Sequence, residues 1–235
     1  MDINGLRWVR WQRRKVDAHG LVRWAWRYCS ALCLALSATL AYAATPPATL
    51  LVVGDSLSAE YGIAKNSGWV ALLQQRLQAK GVAVQVVNAS ISGDTTAGGR
   101  SRLPALLQRH RPAVVVIELG GNDALRGLPL NSTQANLEAM TQAAQAQGAN
   151  VLLVGMQVPP NYGRRYATAF ADTFAAVAKA RGAALVPFML AGIADRDDAL
   201  DWFQPDRIHP LAKAHGPILN NIWPALVPLL PARAD

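Results

Sequence analysis

Residues 49–59 read "TLLVVGDSLSA", five residues led by Thr49 and otherwise apolar, followed at once by Gly54-Asp55-Ser56. The run is short, rich in Val and Leu, and apolar on successive rather than alternate positions. That is the pattern of a strand buried on both faces of a parallel sheet. Four further runs share it: "AVQVVNAS" (83–90), "AVVVIELG" (113–120), "NVLLVGM" (150–156) and "AALVPF" (183–188). Between them the apolar period changes to that of a helix. In "WVALLQQRLQAKG" (69–81), Val70, Leu73 and Leu77 recur at three and four, and Gly81 stops the pattern. Residues 102–111, 133–148, 164–182 and 210–230 read the same way. Strand and helix alternate five times, which predicts an α/β fold: a three-layer α/β/α sandwich around a five-stranded, mainly parallel sheet, in one domain.

Composition narrows the class. With 51% apolar and 16% charged residues, the 235-residue chain is not disordered and can bury a sizeable core. The net charge of +8 is concentrated at the start, where seven basic residues face Asp2 and Asp17 before position 44, a local +5. The remaining +3 is no argument for a polyanion, and no nucleic-acid partner is expected. The basic start, the apolar "YCSALCLALSATLAYA" (28–43) and the small-x-small end Ala41-Tyr42-Ala43 predict a cleaved signal peptide over residues 1–43. The apolar stretch is shorter than the roughly 20 residues of a spanning helix. Residues 44–235 then form the folded domain of an exported protein, with the periplasm as the expected compartment. Cys29 and Cys33 both fall in the leader, so the domain is expected to use neither disulfide nor thiolate chemistry. No cofactor and no metal is expected. Heptads are absent, and a monomer is expected.

In a parallel sheet, ligands bind beyond the carboxyl ends of the strands. There the chain places Gly54-Asp55-Ser56, "SISGDTTAGG" (90–99), "GGND" (120–123) and "DWFQPDRIHP" (201–210). Acyl transfer needs a nucleophile, a base, a group that orients the base, and donors for the oxyanion. Ser56 is the candidate nucleophile, His209 the base, and Asp206, three residues earlier, the orienting acid. The Gly93 N–H, the Asn122 side-chain amide and the Ser56 N–H, read as opening a helix, are the candidate oxyanion donors. Plainer readings exist for each. Asp55 or Ser56 caps helices in many proteins, Asn122 and Asp123 are ordinary turn residues, and His209 alone, before a proline, reads as a surface loop histidine. His110 and His215 read as surface residues. Asp195, Asp197, Asp198 and Asp201 read as loop solvation, with Asp201 a competitor to Asp206. Glu118, inside an apolar run, reads as a partly buried carboxylate with a structural partner. The four signals gain weight from occurring in chain order at successive strand ends.

On these blocks, "GDSLS", "NASISGDT", "ELGGNDALRG" and "DRIHP", the chain resembles the GDSL esterases and lipases, the SGNH hydrolases. Within them it is similar to the branch of periplasmic acyl-CoA thioesterases, lysophospholipases and arylesterases of Gram-negative bacteria. The resemblance implies a flavodoxin-like fold, a Ser56-His209-Asp206 triad, an oxyanion hole of Ser56, Gly93 and Asn122, and hydrolysis of acyl esters or thioesters through an acyl-enzyme. Small-molecule acyl substrates, with transient contact with membrane lipids, are the implied partners. Glu60 departs from the small residue expected there and is read as affecting the mouth of the site. Leu125, Leu128, Pro129 and Leu130, with Val158, Pro159, Pro160 and Tyr162, read equally as an acyl groove or as loop residues packed onto the core. Two rival readings stand beside this one: a carbohydrate O-acetylesterase with the same catalytic parts, and an exported lipid-binding protein without catalysis.

Overall fold

The computed structural model describes residues 47–231. The leader expected over residues 1–43 lies outside them. Five strands appear where the apolar runs predict them: β1 (Ala48–Gly54), β2 (Val84–Asn88), β3 (Val114–Glu118), β4 (Asn150–Val154) and β5 (Ala184–Val186). All pair in parallel, in the order β2-β1-β3-β4-β5. Two interior strands, β1 and β3, carry uninterrupted apolar runs because neither face meets water there: Leu50–Val53 and Val114–Ile117 are all buried. At the edge, β2 is buried mainly at Val84, and polar residues return to its sequence.

Among the described residues six helices flank the sheet: α1 (Trp69–Ala79), α2 (Thr96–His110), α3 (Gly121–Leu125), α4 (Leu130–Ala146), α5 (Arg164–Arg181) and α6 (His215–Leu226). Helix α1 packs with α6, while α4 packs with both α2 and α5. The predicted apolar stripe of α1 is the buried one, through Val70, Leu73 and Leu77.

Three departures from the sequence reading have local causes. Helix α2 begins at Thr96, six residues before the predicted start, because Thr95 caps it by accepting from Gly98 N–H. Gly98, Gly99 and Pro104 lower its intrinsic propensity and hide that first turn. The pattern over 210–230 divides into a 3-10 turn, α6 and a second 3-10 turn, with Pro224 inside the helix. The helix expected to open at Ser56 is a succession of turns, in which the Asp55 carbonyl accepts from Ser58 and Ala59 N–H; the α-helix that follows β1 begins only at Trp69. Among the described residues no helix is long and apolar enough to cross a membrane.

Candidate active site

The strand order reverses direction between β1 and β3, and this is where an open α/β sheet leaves a crevice. Gly54 pairs with Glu118 at the carboxyl ends of these two strands. The next residues, Asp55-Ser56 on one side and Asn122 on the other, therefore emerge side by side. Asp55 is buried; its Oδ1 accepts from Leu57 N–H at 3.0 Å and its Oδ2 from the Asn122 side-chain amide at 3.0 Å. Asn122 lies in the first turn of α3 and not in an isolated turn. Its neighbour Asp123 is buried and structural, accepting from Thr96 N–H at 2.8 Å, from the Thr96 hydroxyl and from the Thr133 hydroxyl.

The fourth loop closes on itself. Phe203 and Pro210 form an antiparallel bridge, and Gln204 N–H donates to the His209 carbonyl at 2.7 Å. Inside the bend, Asp206 Oδ1 accepts from both Ile208 N–H and His209 N–H at 3.0 Å, which a carboxylate three residues back can do in a turn. Asp206 Oδ2 lies 2.7 Å from His209 Nδ1, and His209 Nε2 lies 2.8 Å from Ser56 Oγ. Asp201 takes no part in this chain. The Gln204 amide also donates to the Tyr61 carbonyl at 2.9 Å, and the Tyr61 ring packs on the His209 imidazole with centroids 4.3 Å apart. The base loop and the serine loop are thus fastened together 143 residues apart in sequence.

Gly93 follows β2 with φ of +79°, a conformation that side chains disfavour. Its carbonyl accepts from Arg126 Nη2 at 2.6 Å, tying its loop to the end of α3. Ser56, Asn122 and His209 line a cavity of about 630 Å³; Gly93 is not among its lining residues. The walls are mostly apolar, from Leu125, Met156, Val158, Phe188, Leu190 and Phe203 among others. Of the predicted groove residues, Leu125, Val158 and Pro159 line it. Leu128, Pro129, Leu130 and Tyr162 do not: Leu130 packs against the core, and Leu128 and Tyr162 are exposed. Sequence reading missed Phe188, Leu190 and Phe203, which come from the long segment after β5. The signal for Phe188 and Leu190 was their place just past a strand end; Phe203, beyond the 3-10 turn Ala199–Trp202, gave none.

The electrostatics differ from carboxyl to carboxyl. Burial pulls the Asp206 pKa upward, but the His209 and Ile208 N–H groups and the His209 ring outweigh it and hold it at about 2. Burial raises Asp55 to about 6 against the bonds from Leu57 and Asn122. Glu118 is completely buried rather than partly so, and burial together with the Asp55 charge raises it well above its ordinary value. Two further readings need correction. His215 is buried, with its pKa lowered by desolvation, and its Nδ1 accepts from Trp69 N–H at the start of α1. Glu60 is not among the residues that line the cavity; it accepts from Gly68 N–H at 2.8 Å and Asn66 N–H at 3.0 Å beside that same helix start. Among the described residues no group of three or more His, Cys, Asp or Glu is placed to hold a metal ion.

A parallel sheet with a serine, an imidazole and a carboxylate in one hydrogen-bonded line beside an apolar cavity is the arrangement of a serine hydrolase. Residues 52–216 match the model of the GDSL-like lipase/acylhydrolase family, and the chain belongs to that family. It is 54% identical over 198 residues to Esterase TesA of Pseudomonas aeruginosa, covering 84% of this chain and 96% of that one. It is 41% identical over 191 residues to the thioesterase 1/protease 1/lysophospholipase L1 of Escherichia coli, covering 81% and 89%. The crystal structure of TesA aligns with a TM-score of 0.75 at 55% identity, over 77% of this chain and 99% of that one.

Proposed function

We propose that this protein hydrolyses carboxylic esters and thioesters of acyl chains through an acyl-serine intermediate, with Ser56, His209 and Asp206 as its triad. The observation that carries this reading is the line from Asp206 Oδ2 through both imidazole nitrogens to Ser56 Oγ, with links of 2.7 and 2.8 Å. In neutral His209, Nδ1–H donates to Asp206, which fixes the tautomer and leaves Nε2 to accept the serine proton. Ser56 Oγ attacks the acyl carbonyl as His209 takes its proton. The Ser56 and Gly93 N–H groups and the Asn122 amide stabilise the oxyanion, and the imidazolium then protonates the leaving alcohol or thiol. Water, activated by the same base, releases the acid.

The apolar cavity supports acyl chains longer than acetyl, and so a lipid-type substrate over an acetylated carbohydrate. The names of its relatives, esterase and thioesterase/lysophospholipase, point the same way. Transient contact with lipid surfaces belongs to this reading. Among the described residues, Tyr61, Ile91, Leu125, Leu128, Tyr162, Leu200 and Ile208 are large, apolar and exposed, and each follows the carboxyl end of a strand. Export to the periplasm, implied by the leader, completes it.

The test is a panel of p-nitrophenyl acetate, butyrate, octanoate and palmitate with the matching thioesters, run beside a fluorophosphonate probe. Turnover is expected to rise beyond acetate, and the probe to label Ser56. The Ser56→Ala variant is expected to lose nearly all activity; normal turnover in that variant refutes the triad.

A further inference from the structure

The hydrogen bond between Asp55 and Asn122 has no place in the steps just described, and Asp55 is not a member of the triad. Asp55 nevertheless sits one residue from the nucleophile, 2% exposed, with each carboxylate oxygen committed to one N–H. Its backbone N–H donates to Glu118 Oε2 at 3.3 Å, and the Ser58 hydroxyl donates to the same oxygen at 2.7 Å. Trp69 Nε1–H donates to Ser58 Oγ at 3.1 Å. Gly54 makes this assembly compact: a Cβ there would lie 2.8 Å from both Glu118 Oε2 and Ser58 Oγ. Asp55 is therefore held rigidly, and Asn122 bonds to it and to no other side chain among the described residues.

A primary amide has two faces of opposite polarity, and rotation by half a turn about its last bond exchanges NH2 for C=O. In the oxyanion site one orientation stabilises the developing negative charge and the other repels it. An ionised carboxylate accepts and cannot donate, so it bonds only the NH2 end. We infer that Asp55 is a positioning residue for the oxyanion site: its carboxylate selects the Asn122 rotamer whose second N–H faces the substrate oxygen. Although burial raises its pKa to about 6, Asp55 remains mainly ionised at neutral pH. The inference rests on the reading of Asn122 as an oxyanion donor. It adds a requirement that this reading lacks: the residue before the nucleophile must be an acceptor without a proton to offer.

The Asp55→Asn substitution preserves shape but supplies one acceptor and one donor. The Leu57 N–H claims the acceptor, and the new NH2 then faces Asn122 and favours the inverted amide. The expected result with p-nitrophenyl butyrate is a fall in kcat of about 10- to 100-fold with KM within about twofold, less than the ~10²- to 10³-fold loss of a deleted oxyanion donor. In an Asn122→Ala background the same substitution is expected to change kcat by less than about threefold, since no amide is left to orient. An equal loss in both backgrounds, or no loss in either, overturns the inference.

A second measurement uses the unaltered chain, should Asp55→Asn fail to fold. In a 15N spectrum, the Asn122 side-chain resonances are identified by their disappearance in Asn122→Ala. One proton is expected downfield from the Asp55 bond, and the other is expected to shift when Ser56 is phosphonylated. Phosphonylation that leaves both protons unmoved overturns the inference. Failure of the probe to label Ser56 at all would instead refute the proposed function, so the two failures are distinct.

Discussion

The Asp206 carboxylate divides its two oxygens between two tasks. Oδ1 closes the turn by accepting from Ile208 and His209 N–H, and Oδ2 faces the His209 ring. The same bonds hold its pKa at about 2, so it stays charged across the working range. An Asp206→Asn substitution retains an acceptor for the turn but presents an NH2 toward Nδ1, which favours the wrong tautomer. By analogy with other triads, kcat should fall about 10³- to 10⁴-fold. Steady-state kinetics check the size of the loss, and a circular dichroism spectrum like that of the parent assigns it to chemistry. A loss below tenfold would mean that Asp206 only shapes the loop.

At the scale of elements, the register of β1 against β3 sets Gly54 beside Glu118 and brings two carboxyl groups into one dry layer beneath the site. A buried carboxyl whose folded pKa lies above its ordinary value contributes fully to stability only below that ordinary value, here 4.5. The contribution is lost as pH rises through the folded pKa. A Glu118→Gln variant can still accept from Ser58 and Asp55 but does not titrate. Its melting temperature relative to the parent should rise as pH increases above 4.5, by about 2–4 °C for each kcal/mol of relief. Parallel melting curves across that range would show that Glu118 carries no such cost.

The elements also show what a sequence can and cannot disclose. The five strands were legible because uninterrupted apolar runs such as Leu50–Val53 have few other uses in a chain of mixed strands and helices. Ser56, Asn122 and the Asp206/His209 pair were legible as a set because parallel strands deliver them to one edge. Helix α3 was not: five residues that begin on a glycine carry no period. His215 was misread because its burial depends on α1, 146 residues away, whose first N–H it accepts. Glu60 was misread for a similar reason. Its partners, Asn66 and Gly68, are local, but Glu60 itself sits at a backbone φ of 59°, which composition does not announce.

For the whole molecule, the question is how the central sheet and the segment after β5 shape the substrate. The cavity wall includes Ala199 in the 3-10 turn Ala199–Trp202, outside the sheet core. Filling that point should shorten the accepted chain while leaving the hydrogen-bonded line intact. An Ala199→Trp variant is expected to lose about tenfold or more of its kcat/KM toward the octanoyl ester while keeping acetyl turnover within about threefold, roughly the 1–3 kcal/mol that a hydrophobic pocket can discriminate. Equal losses on both esters would place the acyl chain elsewhere. Removal of Leu73 from the core, by contrast, should cost about 2–5 kcal/mol of stability with no change in chain preference, as denaturant titration and the same ester pair can show.

The bridge between Phe203 and Pro210, together with the Gln204 bond to Tyr61, puts the acid and the base on a single plank pinned to the serine at one side. Acid and base thus share one closed loop, so any movement of that loop would carry both together relative to Ser56, without parting them from each other.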